Sequence, residues 1–139
     1  MTKTDAEHML HRLFTALINP AVSLKDLKGF FTPDYMQLVD GKSLDLKGFI
    51  DHVATLRRTL ATLDVEFENI IANDATLADI HTVTAHKKAG GMIKVKVMAF
   101  YTLHNGKISR IEELTRLITG NAADGDIGSR IDRKITANS

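Results

Sequence analysis

Residues 93–108, with the sequence IKVKVMAFYTLHNGKI, contain the pattern that decides the fold. Apolar residues recur at every second position from Ile93 through Leu103, which is the spacing of one face of a β-strand. The dipeptide Asn105-Gly106 that follows favours a two-residue β-turn. Residues 107–119 then resume a strand pattern, so this stretch predicts a hairpin of two long antiparallel strands.

The first strand of this hairpin is apolar on both faces at its centre. One face carries the apolar series that ends at Leu103, and the other begins with Lys94 and Lys96 but continues with Met98 and Phe100. A strand that is apolar on both faces is covered on both sides. We expect helices to cover one side of the sheet and a second copy of the chain to cover the other, as a homodimer.

The rest of the chain has similarly well-marked elements. Helical spacing of apolar residues predicts helices, and alternation between Gly, Pro, Asn or Asp turns predicts strands. The predicted helices are 5–19, 23–29 and 46–60, capped by Thr4, Ser23 and Ser43, and the predicted strands are 34–39, 64–72, 76–88, 93–104 and 107–119. Short turns join the last four strands, so they predict an antiparallel meander.

Composition excludes several classes of protein. The length of 139 residues fits one domain, and the formal net charge of +1 lacks the basic excess of a nucleic-acid binder. The absence of cysteine rules out disulfides and thiolate metal sites. The chain shows no apolar signal core at its start and no apolar run of membrane-spanning length. We therefore expect a cytoplasmic protein with no membrane or nucleic-acid partner.

The order of the predicted elements resembles the nuclear transport factor 2-like superfamily, and its SnoaL-like branch in particular. The segments that carry the resemblance are 30–35 (FFTPDY), 40–42 (DGK) and 100–108 (FYTLHNGKI), and it covers about residues 5–120. The resemblance implies an α+β fold in which a curved antiparallel sheet wraps around a long helix as a cone, with an apolar pocket inside. It commonly implies a homodimer. It implies no single function, because such folds include cyclases, isomerases, dehydratases, epoxide hydrolases and binding modules.

We accordingly expect a cone domain at 1–120 and a C-terminal tail at 121–139. In the tail Ile127, Ile131 and Ile135 recur every four residues, as on one weak helix face. The tail is either frayed or folded over the domain or its partner.

Two residues are predicted to carry acid/base chemistry. Asp40 ends the first strand, where the resemblance places a pocket carboxylate, although it can equally begin the Asp-Gly turn. His52 flanks the apolar face of the long helix, where it can line a pocket or serve as a hydrogen-bonded core histidine. At Leu13 and Ala99 the chain lacks the tyrosine and acid of ketosteroid isomerase-like members, so that chemistry is excluded.

Polar side chains of the first strand and the long helix are predicted to contact a ligand. Tyr35 and Gln37 share one strand face and offer a hydroxyl and an amide that can orient a carbonyl group. Arg57 falls inside the apolar arc of its helix, where it either meets a carboxylate in the pocket or reaches outward along its stem.

Two further ligand contacts are predicted on the meander. His81 shares a strand face with Asp79, which can orient the imidazole as a general base, although the two can equally pair across strands without any chemistry. Glu112 and Glu113 point to opposite faces, so only one can enter the pocket; the sequence does not determine which, and Glu113 is the candidate. A carboxyl group there has a raised pKa, as acid/base catalysis requires.

The sequence thus predicts a small-molecule-binding protein whose ligand is apolar and oxygen-bearing, with acid/base chemistry of the cyclase, isomerase or hydrolase type if it is an enzyme. We expect no cofactor and no metal site. The alternative is a non-enzymatic dimeric interaction module whose cone is filled by its own side chains. A cavity of roughly 300 Å³ or more favours ligand binding, and a filled cone favours the module.

Overall fold

The fold is taken from a computed structural model, which describes residues 1–131. Its helices are α1 (Lys3–Ile18), α2 (Leu24–Lys28) and α3 (Leu46–Thr59), and a 3-10 helix spans Ala122–Asp126. Its strands are β1 (Phe31–Val39), β2 (Lys42–Asp45), β3 (Leu60–Ala72), β4 (Thr76–Lys87), β5 (Met92–His104) and β6 (Lys107–Thr119). The predicted helices and the predicted strands are all present. No helix of residues 1–131 is long and apolar enough to cross a membrane.

The six strands form one curved, unclosed sheet in the order β2-β1-β6-β5-β4-β3. Strands β3 to β6 pair antiparallel in sequence order, which confirms the predicted meander, and β1 joins β6 in parallel. The α+β class is likewise confirmed. The four-residue strand β2 was not predicted, because Lys42–Asp45 contains one apolar residue and shows no alternation to detect.

The predicted caps of two helices are wrong. Helix α1 begins earlier than predicted because the Thr2 side chain accepts a hydrogen bond from the Asp5 N–H while the Asp5 carboxylate accepts one from the Thr2 N–H. Helix α3 is capped by Asp45, whose side chain accepts from the Gly48 N–H, because Ser43 is used in strand β2. Ser23 caps α2 as predicted.

The helices cover the inner face of the sheet, and the core lies between them. The inner side chains of β5 are all buried, from Ile93 through Leu103. The outer face stays open in the single chain, with Met98 56% exposed and Phe100 48% exposed. Strand β5, which is apolar on both faces at its centre, therefore lies inside the sheet with only one of its faces covered.

The chain beyond β6 folds over the domain as far as it is described. Ile127 is buried in the core, directly after the 3-10 helix. Ile131 is partly buried, and Ile135 lies outside the described residues. Residues 121–131 thus follow the second of the two predicted alternatives, a tail that packs on the domain.

The Arg57 side chain binds backbone carbonyls at the end of α1 rather than a ligand. Its guanidinium donates to the carbonyls of Ala16, Leu17 and Val22, at 2.7, 2.8 and 2.7 Å. The last carbonyls of a helix lack partners within the helix and carry partial negative charge, which a cation satisfies. The predicted ligand contact of Arg57 is corrected accordingly, because none of its three donor nitrogens faces the cavity described below.

Replacement of Arg57 by alanine should lower the free energy of unfolding by about 2–4 kcal/mol, because it leaves three carbonyls without their charged donor. Urea denaturation monitored by circular dichroism measures this loss. Arg12→Ala is the matched control, since Arg12 is exposed on α1, and should change stability by less than about 0.5 kcal/mol. Equal effects of the two variants would contradict this role of Arg57.

Candidate active site

Three neighbouring strands bring two carboxyl groups to the same level of the inner face. Asp79 of β4 pairs with Ala99 of β5, and Ala99 pairs with Glu113 of β6. Paired residues of antiparallel strands stand side by side on one face. The two carboxyl groups are therefore separated only by the methyl side chain of Ala99.

These strands form one wall of an interior cavity of about 100 Å³. Helices α1 and α3 form the opposite wall, and residues 127 and 128 close one side. The lining is largely apolar, and its polar members are Gln37, His52, His81, Tyr101, Glu113 and Thr115. Such a mixture of apolar walls and a few convergent polar groups is typical of a small-molecule site.

Asp79 fixes the orientation of two of these side chains. Its carboxylate lies 2.6 Å from Nδ1 of His81 and accepts a hydrogen bond of 2.9 Å from the Tyr101 hydroxyl. All three side chains are buried. Because Nδ1 donates to the carboxylate, Nε2 is the ring atom left for a ligand. Burial, followed by the charge of Asp79, raises the pKa of Tyr101, so its hydroxyl remains a donor.

Glu113 is the carboxyl group whose environment disfavours its charge. Burial raises the pKa of Glu113 to about 7, with smaller contributions in the same direction from Asp79 and Asp40. Two groups oppose the rise, His81 through its positive form and Gln37 through a hydrogen bond from its amide to Glu113 Oε1. Near neutral pH this carboxyl group therefore exists in both its acid and its base form.

Tyr35 and Gln37 contribute buried polar atoms with no hydrogen-bond partner among the described residues. These atoms are the Tyr35 hydroxyl and Oε1 of Gln37. Tyr35 packs against Phe31 and Phe49 behind the cavity wall, and Gln37 lines the cavity itself. Buried polar atoms are ordinarily hydrogen-bonded, so Oε1 of Gln37 is available to a polar group of a ligand.

The two residues predicted to be catalytic are not brought together. His52 lines the cavity and its Nδ1 donates to the Arg130 carbonyl at 2.6 Å, while burial lowers its pKa and favours the neutral ring. Asp40 lies outside the cavity on the exposed β1–β2 turn, where its carboxylate accepts from the N–H of Thr115 at 2.8 Å and from the Thr115 hydroxyl. Asp40 does not line the cavity and its carboxylate is held by Thr115, so the catalytic assignment of Asp40 is corrected.

Asp79 and Tyr101 are the site residues that sequence reasoning left out of the site. Asp79 was considered only as a partner that could orient His81, and Tyr101 was counted as one of the apolar positions of its strand. The available signal was that both lie on inward positions of paired strands, where a polar side chain must find a partner. Within residues 1–131, no three His, Asp or Glu side chains lie close enough to hold a metal ion.

The curved sheet, the helices packed inside it and the cavity with polar groups define a class of small cone-shaped α+β proteins. The chain belongs to the SnoaL-like domain family of the nuclear transport factor 2-like superfamily, whose family model matches residues 10–111. A relative in Schizosaccharomyces pombe, the uncharacterized protein C11D3.04c, is 39% identical over 125 residues, which are 90% of this chain and 96% of that protein.

Solved structures with low sequence identity share the fold. The candidate hydroxylase AclR from Streptomyces galilaeus matches with a TM-score of 0.70 and 13% identity, over 99% of this chain and 95% of that one. A candidate SnoaL-like polyketide cyclase from Jannaschia sp. CCS1 matches with a TM-score of 0.68 and 17% identity, over 82% of this chain and 87% of that one. At such identities the likeness concerns the fold and not the activity.

The pH dependence of stability should report the raised pKa of Glu113. The folded state binds this proton more tightly than the unfolded state, because the pKa rises from 4.5 to about 7 on folding. The contribution of this proton to the free energy of unfolding is complete below pH 4.5. It is lost as the pH rises to 7, and the loss is on the order of 1–3 kcal/mol. Urea unfolding at several pH values should show this slope in the wild type and in Glu112→Gln. It should be smaller in Glu113→Gln, and an unchanged slope there would contradict the assignment.

Proposed function

We propose that this protein binds an apolar, oxygen-bearing small molecule in the interior cavity and exchanges protons with it through Glu113. The single observation that carries the proposal is a carboxyl group with a pKa of about 7 in an apolar cavity. A general acid or base works best when its pKa lies near the pH at which it operates. The membership of the SnoaL-like family supports a ligand-binding role without selecting the ligand.

The neighbouring side chains can hold the oxygen of such a ligand. Nε2 of His81 faces a pocket whose wall also carries Glu113, and Gln37 contacts Glu113 directly. In this proposal the Glu113 carboxylate takes a proton from a carbon next to a ligand carbonyl and becomes the neutral acid. Nε2 of His81, when the ring carries both of its protons, can donate to the carbonyl oxygen and stabilise the negative charge that develops there. The neutral acid then returns a proton to the ligand, so the step is balanced, and exchange of the Glu113 proton with solvent before this return brings deuterium from D₂O into the ligand.

Hydrogen–deuterium exchange at the methyl group of para-trifluoromethylacetophenone tests this proposal. The wild type should accelerate the exchange in D₂O, followed by proton NMR, with a rate that rises with pH through about 7. The rise follows because the base form of Glu113 is the active form. Glu113→Gln should lower the enzymatic rate by a factor of about 10²–10⁴.

Glu112→Gln is the matched control for this experiment. Glu112 is the adjacent glutamate on β6, but its exposed side chain pairs with Arg110 at 2.8 Å on the outer face. It should exchange the probe at the wild-type rate. Equal losses in the two variants, or no exchange above the buffer rate across a panel of enolisable ketones, would contradict acid/base chemistry at Glu113.

A non-enzymatic interaction module is the second candidate, and the size of the cavity favours it. The cavity of about 100 Å³ is smaller than the roughly 300 Å³ of a drug-sized ligand site. In that case the outer face of the sheet carries the function. Absence of Glu113-dependent exchange together with a stable dimer would select this candidate.

For either function we propose that the partner on the outer face is a second copy of this chain. The outer face carries exposed apolar side chains of three strands, and most of them line a groove of about 750 Å³. These side chains, which we call the outer apolar patch, are Ile71, Met98, Phe100, Leu114 and Ile118. Apolar patches of this kind mark interaction surfaces.

Charge on the same face supports a twofold arrangement. Beside the outer apolar patch, β3 presents the exposed acids Asp64 and Glu66, while Lys94 and Arg116 lie on β5 and β6. A twofold axis along the strands, in the plane of the contact, places β3 of one copy over β6 of the other. The acidic side of each copy then faces the basic side of its partner, which makes the surface self-complementary.

Leu114→Glu should convert the dimer to a monomer, because it places a charge at the centre of the outer apolar patch. Leu114 is 68% exposed in the single chain, so its replacement should leave the folded monomer intact. Equilibrium sedimentation measures the molar mass, and thermal unfolding checks the fold. Thr15→Glu, at an exposed position of α1, should remain a dimer. A wild type that sediments as a monomer at micromolar concentration would overturn this partner.

A further inference from the structure

The wall of the cavity formed by residues 121–131 differs from the others in how it is held. Ile127 is its one fully buried large apolar side chain, and Gly128 approaches β1 closely. A Cβ atom on Gly128 would lie 3.2 Å from Cγ2 of Val39. The remaining anchors of this segment, which we call the cover, are polar.

The polar anchors of the cover come from its own turns and from two parts of the domain. Asp124 contacts Nζ of Lys87 at 3.2 Å, and Arg130 contacts Asp126 at 2.6 Å. The pKa of Asp124 is lowered, because the hydrogen bond from the Asn121 N–H and the charge of Lys87 outweigh the effect of burial. The Arg130 carbonyl accepts from Nδ1 of His52 at 2.6 Å, which ties the cover to α3.

These contacts hold the cover more weakly than packing holds the other walls. The Asp124 side chain is buried, but Lys87 and Arg130 are each 25% exposed. Water can replace these cations when the cover lifts, so the ion pairs contribute little net free energy. The helices and strands that form the other walls bury many apolar side chains, and such elements open only with the whole domain. The cover is thus the wall that can lift while the rest of the fold stays intact.

We propose that residues 121–131 form a movable cover that controls entry to the interior cavity. The Lys87–Asp124 ion pair and the His52–Arg130 hydrogen bond hold this cover in place. This inference rests on the proposed function, because the ligand enters the same cavity. The cavity of about 100 Å³ is too small for an aromatic ketone with its substituents. Lifting Ile127 and Gly128, which line it, widens the cavity and admits a larger molecule.

A reversible disulfide can lock the cover, since the chain contains no cysteine of its own. In the double variant Val39→Cys and Gly128→Cys, the new sulfur on β1 takes a place near the present Cγ2 atom of Val39. A Cβ atom added at residue 128 would lie 3.2 Å from that Cγ2 atom. This closeness suits a disulfide, in which the Cβ atom of one cysteine lies about 3 Å from the sulfur of the other. The replacement of Val39 also removes the methyl group that crowds a side chain at position 128.

Fluorine NMR exchange spectroscopy with para-trifluoromethylacetophenone measures probe entry in the oxidised and the reduced form of this same protein. The reduced form should take up the probe, and the oxidised form should do so at least about tenfold more slowly. Hydrogen exchange gives a second readout. The amides of Asp124, Ile127 and Ser129, which bond within the cover, should exchange faster than those of β5 until the disulfide forms.

A second variant tests the cover without a disulfide. Lys87→Ala removes the ion pair with Asp124, at a residue that does not line the cavity. It should raise the rate of probe entry roughly threefold, because such an ion pair contributes a few tenths of a kcal/mol to about 1 kcal/mol. Lys47→Ala is the matched control, because it removes the exposed Lys47–Asp51 pair of α3. It should leave the rate unchanged.

Equal probe entry in the oxidised and reduced forms would overturn the cover. If the double variant does not fold, equal rates for Lys87→Ala and Lys47→Ala overturn it. If the wild type takes up no probe, amides of the cover as well protected as those of β5 overturn it. A disulfide that blocks entry while Glu113→Gln leaves proton exchange unchanged would retain the cover and refute the proposed chemistry, so the two failures are distinguishable.

Discussion

The buried carboxylate of Asp79 is the constraint on which the site depends. A carboxylate removed from water costs several kcal/mol unless donors replace its hydration, and here His81 and Tyr101 supply them from β4 and β5. Both side chains are consequently held in one orientation. Glu113, on the other side of Ala99, receives a hydrogen bond from Gln37, and burial raises its pKa to about 7. The two carboxyl groups thus have different donors, although they occupy equivalent places on the two strands that flank β5.

The periodicity of the sequence was sufficient for the fold because the meander is a local structure. Strands β3 to β6 follow one another with short turns, so alternation and turn residues predict both the strands and their pairing. Alternation also predicted that Glu112 and Glu113 face opposite sides, as the register shows. Strand β2 could not be predicted, since it exists only because the Asp40-Gly41 turn folds it back on β1. Its four residues carry no period of their own.

Site residues were less predictable than strands because their partners are distant in sequence. Asp40 was assigned to the cavity, but Thr115, 75 residues away, holds its carboxylate at the turn. Arg57 was correctly located on the apolar arc of α3, yet its partners are carbonyls at the end of α1. A helical wheel gives the direction of a side chain and not the group that it meets. Strand alternation alone separates the faces of Glu112 and Glu113 and puts His81 on the face of Asp79, whereas contact of His81 or Glu113 with a ligand stays a prediction.

The small volume of the cavity and its polar lining point to opposite functions. A cone filled for stability alone would place apolar side chains at positions 37, 81 and 113, because replacing buried polar groups with apolar ones of similar size is often stabilising. The chain instead keeps Gln37, His81 and Glu113 on one wall, together with an amide oxygen that has no partner among the described residues. Such a wall costs free energy in the closed form and gains it when a polar ligand atom arrives. A polar wall of this kind, next to a cover held by ion pairs, fits a site that opens to admit a ligand. It fits less well a core that is filled by the protein's own side chains.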